Sequence, residues 1–180
     1  ARVIAGDELL GSDLQKRIVA FIVSPFKKTD LPEILGIRKK IELKNIRKDN
    51  NILDIKVSEG GMVDIEFMSQ VIKLICADRN KGVIGKSTIK TLQSIEAKKI
   101  LSVADLKFLT ESYYMYRNIE KYIVSNNLSE RYILKFNDYK NFYEFFGFSS
   151  QEAFIAALKR RMLKVRNIFN SFFKKAKRYT

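Results

Sequence analysis

Apolar residues recur along most of this chain at the spacing of a helix face, broken by short polar clusters. The clearest run is Phe154, Leu158, Met162, Val165, Phe169 and Phe172, spaced by four, four, three, four and three. That repeat lines one side of a helix. Phe148-Ser149-Ser150-Gln151-Glu152 ahead of it has the form of a capping box, so residues 147–180 read as a terminal helix unit. A second long helix is predicted from Ser102-Val103-Ala104-Asp105 to about Ser125. Its apolar face is Leu106, Leu109, Tyr113, Tyr116, Ile119 and Ile123, and Asn126-Asn127 breaks it. A third is predicted from about Met62 to Ala77. Met62, Ile65, Ile72 and Cys76, with Val63, Phe67, Val71 and Leu74, cover more than half of its circumference, as in a buried helix. Glu66, Gln70 and Lys73 share its remaining side.

The other elements follow from caps and breakers. Asp7 is positioned to cap a helix that reaches about Val23 and ends before Pro25. Thr29 or Asp30 caps another from Leu31 to about Arg47, with Pro32 in the first turn, where proline is tolerated. Ile34, Ile37 and Ile41 form its inner stripe, and Arg38, Lys39, Lys40, Lys44, Arg47 and Lys48 lie elsewhere. A helix from Ser87 to about Lys98 follows a loop. Asp49-Asn50-Asn51 reads as a turn, and Ile52–Val57 as an extended piece, too short and too rich in branched residues for a helix. The aromatic stretch from Tyr132 to Phe146 is less regular, and core packing accounts for it better than base stacking. The expected fold is all-α: a single domain over residues 1–180, a bundle of six to seven helices with one short extended segment before a Gly-Gly turn.

Composition narrows the chemistry. With 180 residues the chain can bury a real core, and only two prolines and eight glycines interrupt it. It has no histidine, which excludes Ser-His-Asp and Cys-His catalysis and His-rich metal sites. The single Cys76 lies in an apolar helical run and reads as a small core residue; no internal disulfide is possible, which fits a reducing, cytoplasmic setting. No stretch approaches the length of a membrane span. The net charge of +14 is compatible with nucleic acid, a nucleotide or an acidic partner, and equally with solvated lysine faces. Gly11-Ser12-Asp13-Leu14-Gln15 has the outline of a metal-holding nucleotidyltransferase loop, but Gln15 stands where the second carboxylate belongs. No metal site is expected within the chain.

One stretch stands apart: Asp54-Ile55-Lys56-Val57-Ser58-Glu59-Gly60-Gly61-Met62-Val63-Asp64-Ile65-Glu66-Phe67. It holds the chain's only glycine pair, placed just before a helix start, where unhindered amides and the positive helix end can face an anion. A tight turn with solvated charges explains the same residues. The segment resembles the one that follows the catalytic domain in bacterial glutamine synthetase adenylyltransferase, the enzyme that also removes the adenylyl group. A looser version occurs in signal-protein uridylyltransferases. Ala1–Asp7 with Leu10-Gly11, and Tyr113, Arg117 and Glu120, are similar to the same family, although Tyr114 and Tyr116 depart from its usual residues.

The resemblance implies a helical domain behind a nucleotidyltransferase domain, with residues 1–11 as the junction. A chain that begins Ala1-Arg2-Val3 is in keeping with a piece of a longer protein. The implied activity is transfer of AMP from ATP to a tyrosine of glutamine synthetase, or its removal. ATP and Mg²⁺ belong to the neighbouring domain, and no catalytic residue or cofactor is expected in this piece. Lys56 and the amides of Gly60 and Gly61 are expected to meet phosphate oxygens. Asp64 and Glu66 are expected to orient Lys56 or Arg117, or to bond the sugar, with Asp54, Arg117 and Glu120 in support. Arg117 and Glu120 also suit an ordinary intrahelical pair. The implied partners are the nucleotidyltransferase domain, glutamine synthetase and a nitrogen-signal regulatory protein. A docking module without catalytic residues and a basic nucleic-acid binder are the alternatives.

Overall fold

The central buried helix of the sequence pattern is the element around which the main core is built. In a computed structural model, which describes residues 4–23, 27, 30–44, 52–77, 82, 86–126, 132–135, 142–176 and 178, the order is α1 (Glu8–Val23), α2 (Asp30–Lys44), β1 (Ile52–Asp54), α3 (Met62–Cys76), α4 (Thr88–Leu92), α5 (Ile95–Lys98), α6 (Val103–Ser125), β2 (Ile133–Lys135), α7 (Phe142–Phe145) and α8 (Gln151–Ala176). α3 packs against α4, α5, α6 and α8. Met62, Ile65, Met68, Val71 and Ile72 on it are at most 1% exposed. Each side chain of this size stabilises the fold by about 1.5–3 kcal/mol through burial. Cys76 is half-buried and packs against the same core.

The protein is all-α apart from one small sheet, as the pattern implied. The caps are where the sequence places them. Asp7 Oδ1 accepts from the amide of Leu10, Ser102 Oγ from that of Asp105, and Ser150 Oγ from that of Ala153. Three local expectations change. The helix expected from Ser87 to Lys98 is two, because Ser94 interrupts it: its Oγ donates to Thr91 O at 2.7 Å and accepts from the amide of Ala97, ending α4 and capping α5. A second strand, β2, lies inside the aromatic stretch and pairs antiparallel with β1, Leu53 opposite Leu134. Short α7 follows it, so eight helices are present among the described residues rather than six or seven.

The third change concerns α2. Its buried face is Leu31, Ile34, Leu35, Arg38 and Ile41, whereas Ile37 is 48% exposed. The stripe is rotated, and an arginine that looked solvated is 1% exposed. The expected turn at Asp49–Asn51, the cap at Thr29, Pro25 and Arg47 lie outside the described residues. Tyr122, Phe142, Phe146, Phe148 and Phe154 pack together in edge-to-face and tilted pairs, with ring centroids 4.8–6.2 Å apart.

Candidate functional site

The paired-glycine bend connects β1 to α3 and is closed by its own backbone. Asp54 Oδ1 accepts from the amides of Lys56 (2.8 Å) and Val57 (3.0 Å), folding the chain back after the strand. The amide of Gly61 donates to Ser58 O at 2.9 Å. The first amides of α3 then find the carbonyls of the turn: Met62 N donates to Ile55 O and Val63 N to Lys56 O, both at 3.0 Å. Donors that a helix start normally leaves open are therefore filled from within. Both positions demand glycine. Gly60 has φ +73°, and a Cβ there would lie 1.8 Å from the carbonyl oxygen of Met162 on α8. A Cβ on Gly61 would lie 2.7 Å from Lys56 O.

Asp64, one turn into α3, is 0% exposed and fully engaged. Its Oδ2 accepts from the amide of Gly60 at 2.8 Å. Oδ1 accepts from Nε of Arg38 on α2, and Nη1 of Arg166 on α8 donates to both oxygens at 3.1–3.3 Å. Arg38 goes on to donate to the carbonyls of Val57 and Ser58 and lies 3.3 Å from Glu42. Arg166 reaches Glu42 and Glu59 at 3.2 and 3.3 Å. Burial raises the pKa of Glu42, as does its hydrogen bond with Glu59, against the pull of both arginines. Burial works against the charge of Arg166, but Asp64, Glu42 and Glu59 outweigh it and raise its pKa. Tyr116 of α6 donates to Gly60 O at 2.9 Å, and burial pushes its pKa up. One carboxylate thus ties together α2, the bend and α8.

This arrangement corrects the expected roles. The amides of Gly60 and Gly61 are occupied within the chain, by Asp64 Oδ2 and Ser58 O. Asp64 pairs with Arg38 and Arg166 rather than with Lys56 or Arg117. Asp54 supports the bend, as expected, but through backbone amides. Arg117 pairs along its own helix with Glu120 at 2.6 Å. Glu66 is met instead by Tyr113, whose hydroxyl donates to Oε1 at 3.0 Å. Burial raises the pKa of Tyr113, and the neighbouring Glu66 raises it further. Lys56 is half-buried, with Nζ 4.2 Å from the ring centre of Tyr132. Its carbonyl bonds the amide of Val63, one turn before Glu66.

Sequence reasoning missed Arg38 and Glu42 and gave Arg166 no part in the site. The signal was present in one case: Arg38 stands seven residues after Leu31 and four after Ile34, on the apolar side of α2. Lys73 is a further surprise, 8% exposed with its pKa lowered by burial. Among the described residues no three acidic or thiol side chains converge on one point. No helix among them is long and apolar enough to cross a membrane.

Comparison with known proteins places this architecture. The bifunctional glutamine synthetase adenylyltransferase/adenylyl-removing enzyme of Pseudomonas putida is 25% identical over 158 residues, 80% of this chain and 16% of that protein. The protein of the same name from Hahella chejuensis is 28% identical over 120 residues, 67% of this chain and 12% of its own length. That of Pseudomonas aeruginosa is 26% identical over 156 residues, 86% and 16% respectively. The chain therefore spans less than a fifth of the curated relatives it matches. The family profile described as GlnD PII-uridylyltransferase matches residues 36–173, which include Arg38, Asp64 and Arg166 of the buried cluster. The chain belongs to this GlnD PII-uridylyltransferase family and is similar in sequence to glutamine synthetase adenylyltransferases.

Proposed function

We propose that this chain is the helical module of a cytoplasmic glutamine synthetase adenylyltransferase, seated through α1 on a nucleotidyltransferase domain that holds ATP and Mg²⁺. The observation that carries the reading is the outer face of α1. Leu10 and Leu14, four residues apart, lie in one stripe and are 71% and 55% exposed. No described element packs extensively on that helix. An exposed apolar stripe of this kind marks a docking surface, and the similarity to much longer adenylyltransferases supplies the occupant.

On this reading the buried cluster around Asp64 is scaffold. It holds the bend rigid between α2 and α8 and sets where the two remaining polar groups of the segment stand. Lys56 offsets phosphate charge from the edge of the bend, and Glu66, its orientation held by Tyr113, bonds a sugar hydroxyl. The metal ions belong to the neighbouring domain. Transfer of AMP to glutamine synthetase and its removal are then reactions of the assembled enzyme, with this module positioning the nucleotide and a nitrogen-signal protein as regulator.

The test uses the full-length enzyme. Lys56→Ala and Glu66→Gln are expected to lower AMP transfer or removal by at least about tenfold, the scale of a lost charge-assisted contact. Leu10→Glu with Leu14→Glu is expected to lower both reactions. Assaying transfer and removal separately shows which half the module serves. Undiminished turnover in a folded Lys56→Ala enzyme would sink the nucleotide-facing role.

A further inference from the structure

A second surface lies on the α6–α8 side of the molecule. A groove of about 300 Å³ has a floor of Phe108, Met115, Phe148 and Ala157 and a rim of Arg160, Arg161 and Lys164. The rim is cationic by register: positions 157, 160, 161 and 164 fall on one face of α8. Arg161 is braced by a 3.0 Å hydrogen bond from Nη1 to Ser112 Oγ, with its guanidinium 5.0 Å from the Phe108 ring centre. Lys164 Nζ stands 4.2 Å from the same centre. Arg160 and Lys164 are exposed. No carboxylate lines the groove, and among the described residues none pairs with any of the three cations. α8 as a whole carries seven Lys and Arg residues against the single acid Glu152. Elsewhere in this protein buried or braced arginines have carboxylate partners, as Arg38 and Arg166 do.

We propose that this groove docks an acidic segment of a protein partner that inserts one apolar side chain between Phe108, Met115 and Phe148. Charge complementarity sets the sign of the partner, since three clustered cations need anions that the described residues do not supply. The dimensions select a peptide. Residues 160–164 span about 6 Å of helix axis, which suits two or three carboxylates around an anchor and is too short for a phosphate track. The volume is at the small end for a ligand pocket and suits one bulky side chain. Met115 is a flexible, polarizable wall that adapts to an aromatic or aliphatic anchor.

Fluorescence anisotropy on the full chain tests this with a labelled heptapeptide bearing three acidic residues on each side of a central phenylalanine. Saturable binding is expected, and the charge-reversed lysine peptide is expected not to bind. Replacing the phenylalanine by serine should weaken binding by about tenfold, the worth of one buried anchor. Arg160→Glu with Lys164→Glu should weaken it by at least about tenfold. Both positions are exposed, and circular dichroism verifies the fold. Arg160→Gln alone gives a smaller loss in the same direction if the double variant fails to fold. The proposal is overturned if the peptide does not bind, if anchor and rim substitutions leave binding unchanged, or if a single-stranded oligonucleotide of equal charge binds more tightly at the same residues.

Discussion

The bend below α3 and the outer face of α1 invert the usual distribution of polarity in opposite ways. At the bend, Asp64 and Arg38 are buried charges, yet each has its partners inside the chain. On α1, Leu10 and Leu14 are 71% and 55% exposed, and no described element packs extensively on that helix. A buried charge that is paired specifies how elements sit on one another. An exposed apolar stripe is the reverse: its cost is relieved only by something outside the chain. Within the charged motif, the Asp64 part is spent on internal contacts, while α1 carries apolar side chains that the described body leaves exposed.

The largest expected effect breaks the first region. Asp64→Asn leaves Arg38 and Arg166 in a buried site without their carboxylate, which costs about 3–5 kcal/mol. Denaturant unfolding of the isolated chain should show a lower midpoint with little change in slope. A loss under 1 kcal/mol, on the order of a surface pair, would mean that the cluster holds nothing together.

A smaller effect of opposite sign is expected at Lys73, which is buried like Arg38 but shows no ion pair among the described residues. Lys73→Met should stabilise the chain at neutral pH by about 1 kcal/mol, because the buried ammonium loses hydration without an offsetting contact. The folded pKa of Lys73 is lowered, so the unfolded chain binds its proton more tightly. The destabilisation is therefore complete below the folded pKa and vanishes as pH rises past the ordinary lysine value. Wild-type stability should climb with pH across that interval, and the methionine variant should lack this climb. Thermal melts at a series of alkaline pH values measure it.

The smallest effect sharpens the second region. Leu10→Glu and Leu14→Glu should change the stability of the isolated chain by no more than about 0.5 kcal/mol, since neither side chain is buried by the body. A marked loss of stability would mean that α1 folds back onto the bundle in solution.

Much of the fold was legible. Helical spacing and the caps at Ser102 and Ser150 define α6 and α8, and the all-round apolar character of α3 reveals its central place. β2 was hidden because three residues carry no resolvable periodicity, and Ser94 because a mid-helix serine and a capping serine look alike until one sees which carbonyl it bonds. The residues of the bend were legible as unusual, but not their roles. Gly60 could be read as open to an anion only so long as the backbone of Met162 was unknown.

What sequence alone determined here is local: which segments are helical, where they begin, and which faces are apolar. These follow from interactions within four residues along the chain; the family was indicated separately, by the resemblance of the segment Asp54–Phe67. Which charges are buried was decided only by the tertiary fold. Arg38, Asp64 and Arg166 are 26 and 102 residues apart in their pairings. An ion pair at that separation leaves no periodic trace, because it depends on where three helices happen to cross rather than on the order of residues in any one of them.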